Sequence, residues 1–226
     1  MHNIIEIKGL KKRFANGDVV TEVLKGIDFT AKNGEFLAIM GRSGAGKSTF
    51  LYQMSLLDHP SEGTIVIDGK NVEKLDGDER TRFRLNELGY VFQDYALLPD
   101  LTATENVALP LLMKGYSKKH AYAQAHKTLE RMNLGHRVDA LPANMSGGEQ
   151  QRVSIARAIT HDPKILFADE PTANLDNESS SLIIQIFREL NREGQTIIMV
   201  THEEEYAKIA DRIVRLDDGR ITSERD

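Results

Sequence analysis

A glycine-rich segment between an apolar run and a helix-compatible run constrains this chain more than any other feature. Residues 41–49 read GRSGAGKST, follow the apolar run 35–40 and precede the helix-compatible run 49–57. The spacing fits G-x-x-x-x-G-K-[ST], in which glycines let backbone N–H groups surround an anion and the following helix points its positive end at it. An ordinary glycine-rich turn is the alternative. The three signals together favour a phosphate-binding loop and predict a nucleoside triphosphate ligand.

The residues around this loop have separate predicted tasks. Lys47 is expected to reach the β- and γ-phosphates, and the Ser48 hydroxyl to complete a Mg²⁺ coordination shell. Phe14 offers an aromatic face on which a base can stack, and a core position is its alternative. The predicted nucleotide-binding residues are Phe14, Gly41, Arg42, Ser43, Gly44, Ala45, Gly46, Lys47, Ser48 and Thr49.

Composition limits the remaining classes of function. The 226 residues carry a net charge of −5, which disfavours nucleic-acid binding because a basic face is needed to neutralise phosphates. The absence of cysteine excludes disulfides, thiolate catalysis and cysteine-ligated zinc. The first residues lack the pattern of a signal peptide, and the apolar runs fall short of the ~18 residues that a membrane helix needs. We therefore expect any work at a membrane to depend on a partner.

Two kinds of strand pattern occur along the chain. Residues 3–8 and 19–24 flank the turn signal Asn16-Gly17-Asp18 and predict an antiparallel hairpin, to which residues 63–69 add a strand. Elsewhere strands alternate with helices, which predicts a parallel sheet flanked by helices. The predicted strands are 88–92, 164–168, 195–200 and 212–216, and the predicted helices are 78–87, 147–160, 177–191 and 203–210.

A helix-rich segment interrupts that alternation. Residues 96–136 show helical spacing with a break at 115–117, so that two helices are expected, followed by a loop at 141–144. The predicted fold class is α/β: a P-loop NTPase parallel-sheet core with an antiparallel β subdomain and an α-helical insertion. We expect a single domain over residues 1–226, with its core and β subdomain at about 1–93 and 159–226 and its helical subdomain at about 94–158.

Three predicted strand ends carry candidate catalytic side chains. Ligands of open parallel sheets bind at the carboxyl ends of strands, where Asp169 and Glu170 stand. Asp169 fits a metal-holding aspartate, and Glu170 is placed to polarise a water for attack on the γ-phosphate. A solvated acidic turn is the alternative. His202 and Gln93, at two other strand ends, are candidates for contacting the γ-phosphate and for sensing the metal or the attacking water.

A second glycine-bearing helix start lies at residues 146–152, SGGEQQR. Ser146 is a good N-cap, and two glycines in a first helical turn are unfavourable unless something must approach the backbone closely. A simple capped helix is the alternative. The interpretation that we favour is a second anion site. Because one nucleotide has a single γ-phosphate, two such sites in one chain predict a head-to-tail dimer with two nucleotides between the chains.

Taken together in this order, these residues resemble the nucleotide-binding subunit of ABC transporters. Residues 41–49 match its Walker A loop, 165–170 its Walker B strand, and 145–150 its signature, with Met145 where leucine is usual. The other matching positions are Gln93 for the Q-loop, His202 for the switch histidine, Phe14 for the aromatic A-loop and Ala173, Asn174, Leu175 and Asp176 for the D-loop. The match covers nearly the whole chain.

The resemblance implies a Mg²⁺-dependent ATPase that acts as an ATP-bound homodimer. It implies catalytic roles for Glu170, His202 and Gln93, and metal contacts from Ser48, Gln93 and Asp169. It also implies that the signature residues act on the partner chain's nucleotide; these are Ser146, Gly147, Gly148 and Glu149. Asn174, Leu175 and Asp176 form the implied D-loop.

Finer features of the sequence, such as LTATENV at residues 101–107, resemble those of the lipoprotein-release and macrolide-export ATPases. This subgroup implies a separate integral-membrane permease partner, a place at the cytoplasmic face of the membrane and no nucleic-acid partner. We expect the permease to dock beside residues 93–96, in the cleft between the core and the helical insertion. A regulatory ATPase associated with cell division is the alternative. A soluble ABC-type ATPase acting on DNA or ribosomes is disfavoured, because the chain has one ATPase unit and no long coiled coil.

Overall fold

The computed structural model describes residues 2–17 and 19–225, which form two compact units. The first unit comprises the described residues of Met1–Arg82 and Asn191–Asp226, and the second is Phe83–Leu190. The predicted subdomain division, with the helical part at about 94–158, stays a prediction. Among the described residues, no helix is both long and apolar enough to cross a bilayer.

An antiparallel sheet of four strands forms one part of the first unit. Its strand order is β2-β1-β4-β5, with β1 Asn3–Asn16, β2 Val19–Lys32, β4 Glu62–Ile67 and β5 Lys70–Asn71. The predicted hairpin and its added strand are confirmed, although both hairpin strands are longer than predicted; Asp18 of the predicted turn lies outside the described residues. A Cβ at Gly63 would lie 2.6 Å from the Gly9 carbonyl oxygen, so glycine is needed where β4 meets β1.

A second group of strands in the first unit surrounds β3 Phe36–Met40, whose five residues are all buried. β3 lies between β8 Thr196–Val200 and β9 Arg212–Asp217 and is parallel to both. Strands buried on both faces are near-continuously apolar, as β3 and β8 are, whereas the partly buried β9 carries Arg212, Arg215 and Asp217. Helices α1 Lys47–Met54 and α7 Glu204–Ala207 belong to the same unit.

The strand β10 Arg220–Arg225 was missing from the sequence-based prediction. It pairs antiparallel with β9 through a tight turn in which Asp217 lies opposite Arg220. Asp218-Gly219 is a hairpin signal, with both residues at positive φ. The strand itself is mostly polar, which is why its pattern gave no indication.

The second unit holds a parallel strand pair, β6 Leu88–Val91 and β7 Ile165–Asp169. Its helices are α3 Ala103–Met113, α4 Lys118–Arg131, α5 Gly147–Ile159 and most of α6 Asn177–Arg192, while α2 Gly77–Glu87 crosses the boundary between the units. The predicted helical break is confirmed: Gly115 has φ +86° after α3, and the Ser117 side chain caps α4. The predicted loop at 141–144 instead contains a single 3₁₀ turn, Pro142–Asn144, for which proline's fixed φ is suited.

Candidate functional site

The glycine-rich loop connects β3 to α1, as its spacing predicted. A Cβ at Gly41 would lie 2.1 Å from the Leu216 carbonyl oxygen, and one at Gly46 would lie 3.1 Å from Leu24 Cδ2. Gly46 also has φ +96° and Gly44 φ +80°, a region that side chains disfavour. Glycine is therefore required by close packing at Gly41 and by backbone conformation at Gly44 and Gly46.

Lys47 begins helix α1, and only 7% of its surface is exposed. Its Nζ donates to the Arg42 carbonyl oxygen at 3.2 Å, so the ammonium group is folded over the loop that precedes it. The first N–H groups of a helix have no partner within the helix, and the helix dipole favours negative charge there. A cation and a helix start thus meet at one loop, which suits a phosphate group.

Two further predicted residues belong to the same unit. His202 is exposed and follows β8, whose last residue, Val200, pairs with Ile39 of the strand that leads into the loop. Because parallel strands end at the same edge, His202 lies at the edge where the phosphate loop begins. Phe14 is 47% exposed on β1, which excludes the core alternative, and Lys12 Nζ lies 4.8 Å from the centroid of its ring.

The predicted acidic pair ends β7 in the second unit. Asp169 is 5% exposed, and the Tyr90 hydroxyl donates to its Oδ2 at 3.4 Å. Glu170 is half-buried and has φ +43°, a left-handed conformation that is unfavourable for a residue with a side chain. Strained backbone of this kind persists where the surroundings hold it, and it is common at functional sites.

Within the second unit, the structure brings together three segments that are far apart in sequence. The Asn174 side-chain amide donates to the Gln93 carbonyl oxygen at 3.2 Å. A Cβ at Gly147 would lie 2.8 Å from the Tyr95 hydroxyl and 3.4 Å from Leu175 Cδ2. The predicted Q-loop, signature and D-loop segments therefore lie close together, and a Cβ at position 147 would require the Tyr95 side chain to shift.

Arg157, which no sequence pattern singled out, holds the segment after Gln93. Its guanidinium donates to the carbonyl oxygens of Tyr95 and Ala96 at 3.0 and 2.7 Å. Both of those residues have positive φ, +60° and +50°. Burial lowers the pKa of Arg157 below its ordinary value. This arginine stabilises a backbone conformation that non-glycine residues disfavour.

A capping box begins the signature helix α5. Ser146 Oγ accepts from the Glu149 N–H at 3.2 Å, and the Glu149 carboxylate accepts from the Ser146 N–H at 2.9 Å. Arg137, which the sequence did not single out, adds a two-bond contact to the same carboxylate at 2.8 and 3.0 Å. The hydrogen bond from Arg137, with the capping contact, lowers the pKa of Glu149 to about 2. Glu149 is thus an anion that fixes the helix start.

We expect the Arg137–Glu149 pair to make stability depend on pH. The pKa of Glu149 is lower in the folded protein than its ordinary value of 4.5, so its ionised carboxylate stabilises the fold above pH 4.5. This contribution disappears as the pH falls towards about 2. Arg137→Met should therefore slightly lower the free energy of unfolding near neutral pH, because solvent screens the interaction of this arginine with Glu149. Urea unfolding of both proteins between pH 3 and 7 measures the difference. The exposed Lys127→Met is the control, and a deficit that does not shrink with acidification would contradict the assignment.

The predicted magnesium ligands all offer side-chain oxygen atoms, the donors that Mg²⁺ prefers. The described residues contain no group of three or more His, Asp or Glu side chains arranged to hold a metal by themselves. Mg²⁺ usually needs only one or two protein oxygens together with phosphate and water. Asp169, a nearly buried carboxylate, and the partly buried hydroxyl of Ser48 are oxygen donors of the type that suits this ion.

The comparisons with known proteins agree with the sequence resemblance. A family model described as ABC transporter matches residues 24–173. The lipoprotein-releasing system ATP-binding protein LolD 1 of Caulobacter vibrioides is 47% identical over 99% of this chain and 96% of its own length. The macrolide export ATP-binding/permease protein MacB of Bdellovibrio bacteriovorus is 46% identical over 98% of this chain. The chain spans only 34% of the length of the MacB relatives that it matches.

Solved structures give the same fold. The dimeric structure of MJ0796, described as a bacterial ABC transporter cassette, matches with a TM-score of 0.92 and 40% identity over 98% of both chains. A dimeric post-hydrolysis state of the same cassette, bound to ADP and Pi, matches with a TM-score of 0.92 and 39% identity. The predicted fold class is confirmed.

Proposed function

This chain belongs to the ABC transporter family and is an ATP-binding, ATP-hydrolysing cassette of it, and from that premise we propose that it powers a membrane permease. The observation that carries the proposal is the phosphate loop between β3 and α1, with Lys47 folded over it. The macrolide-export and lipoprotein-releasing relatives support transport over the division-associated regulatory alternative. No nucleic acid is involved in the proposed function.

The proposed nucleotide site divides its tasks among the predicted residues. Phe14 stacks on the base, the loop residues 41–49 surround the phosphates, and His202 contacts the γ-phosphate. Glu170 is the proposed base that polarises the attacking water. Ser48, Gln93 and Asp169 are the proposed contacts of Mg²⁺, which when bound neutralises charge on the phosphate oxygens. This assignment is supported by the side-chain oxygen atoms of these three residues, because Mg²⁺ prefers oxygen ligands.

The proposed working unit is a head-to-tail homodimer with ATP bound between the chains. The dimeric structures of MJ0796 support it, as does the exposure of Ser146 at the start of α5. In this dimer, Ser146, Gly147, Gly148 and Glu149 face the partner's nucleotide, and the D-loop residues Asn174, Leu175 and Asp176 lie at the interface. Hydrolysis removes the γ-phosphate that joins the two surfaces, so the dimer opens after turnover.

The permease is proposed to dock on residues 93–98 and to hold the chain at the cytoplasmic face of the membrane. Leu98 is 44% exposed, while Tyr95 and Leu97 are half-buried, so that this segment offers apolar surface. The backbone of the segment is fixed by Asn174 and Arg157 rather than loose. A fixed apolar surface suits a partner that must transmit force.

Site-specific crosslinking tests the docking surface cleanly, because the chain has no cysteine of its own. We expect Leu98→Cys to crosslink to the co-expressed permease and Thr222→Cys, exposed on β10, to give no crosslink. The measurement is a crosslinked band identified by mass spectrometry in membranes that contain both proteins. Crosslinks confined to Thr222→Cys would refute docking at residues 93–98. Loss of the ATP-binding protein from membranes without the permease tests the proposed location.

A further inference from the structure

Gln151 is a fully buried polar residue whose role the family motifs do not explain. It lies in the second turn of α5 and has no solvent exposure. Its side-chain Nε2 donates to the Pro171 carbonyl oxygen at 2.8 Å. Its Oε1 is buried and accepts no hydrogen bond within the described part of the chain. The amide is therefore only half satisfied.

A half-satisfied buried amide is a poor way to stabilise a protein. A buried polar atom without a partner costs free energy, whereas an apolar side chain of similar size would fill the same space without that cost. Methionine matches glutamine in length and has no donor or acceptor of comparable strength. The one hydrogen bond that the Gln151 side chain makes among the described residues therefore points to a role other than stability.

That bond is made next to the proposed catalytic carboxylate. Pro171 directly follows Glu170, whose φ of +43° is unfavourable for a residue with a side chain. Pro171 is buried and has no N–H, so its carbonyl is the backbone group through which it can be held by a hydrogen bond. The hydrogen bond fixes the peptide between Pro171 and Thr172. Because the proline ring fixes φ at Pro171, it also restricts the backbone at Glu170 and with it the direction of the Glu170 side chain.

We propose that Gln151 is a positioning residue for Glu170: its bond to the Pro171 carbonyl holds the strained turn after β7 in the conformation that aims the carboxylate at the attacking water. The proposal rests on the role proposed above for Glu170. Small misplacements of a reacting group are enough to slow a reaction strongly. Gln151 itself touches neither nucleotide nor water in this role.

The test compares Gln151→Met with Gln185→Met, the same substitution at an exposed position of α6. We expect Gln151→Met to lower kcat by ~10–100-fold and to leave the affinity for a fluorescent ATP analogue within about twofold of wild type. Its Tm should change little, because losing the unpaired Oε1 stabilises the protein while the buried Pro171 carbonyl loses its donor. Gln185→Met should behave as wild type in all three measurements.

A double variant separates this proposal from the proposed role of Glu170. If Gln151 acts through Glu170, then Glu170→Gln/Gln151→Met should be no slower than Glu170→Gln alone. Three results would each overturn the positioning role. The first is a double variant in which the two losses of kcat multiply, and the second is an unchanged kcat in Gln151→Met. The third is a parallel loss of kcat, ATP affinity and Tm in Gln151→Met. Near-normal turnover of Glu170→Gln alone would instead overturn the assignment of the base.

Discussion

Replacing Glu170 with glutamine is expected to lower ATP turnover by about 10²–10⁴-fold, the loss typical of removing a general base. The amide keeps the size of the side chain and much of its hydrogen bonding but removes the basic oxygen. Glu170 directly follows a buried strand and is itself half-buried, which would partly shield from solvent the water that we propose it polarises. Phosphate release at saturating ATP and Mg²⁺ measures the effect.

The affinity for ATP should remain close to wild type in this variant, since the phosphate loop is unchanged. Glu178→Gln, an exposed acid in the first turn of α6, is the matched control and should keep full turnover. Turnover of Glu170→Gln within a fewfold of wild type would contradict the assignment of Glu170 as the general base.

Mixing two inactive chains is expected to restore activity if the dimer is head-to-tail. Lys47→Ala removes the ammonium group that is folded over the phosphate loop, and Ser146→Arg places a bulky cation at the start of α5. In a mixed dimer, one nucleotide site combines the intact loop of one chain with the intact signature of the other. A two-fold axis then gives about a quarter of wild-type turnover at equal amounts of the two chains. The measurement is phosphate release before and after mixing.

The control pairs the Lys47→Ala chain with a chain that carries both substitutions, since that mixture contains no intact loop and should stay inactive. Association of the chains is checked separately with Glu170→Gln, which should elute from a sizing column in low salt as a dimer with ATP and as a monomer with ADP. Proven association without any recovered activity would mean that the signature does not act across the interface.

Local patterns in the sequence determined much of this protein's secondary structure and its fold class. The phosphate loop, the hairpin and the strand that ends at Asp169 each follow from glycine positions, apolar runs or turn residues that act over a few positions. The break between α3 and α4 was likewise readable, because Gly115 and Ser117 end one helix and cap the next. Fold class followed from the order of these elements, since alternating strands and helices have few ways to bury their apolar faces.

Only the tertiary structure decided which side chains hold the candidate site in place. Arg137, Gln151 and Arg157 reach partners 12, 20 and more than 60 positions away. Nothing in their own helices identifies those partners, since a polar residue has the same local pattern whether it faces solvent or a carbonyl group. The polar strand β10 was missed for a related reason, because its pairing with β9 defines it more than its own sequence does. Turn chemistry and periodicity are local, whereas the partner of a buried polar group depends on how distant segments pack.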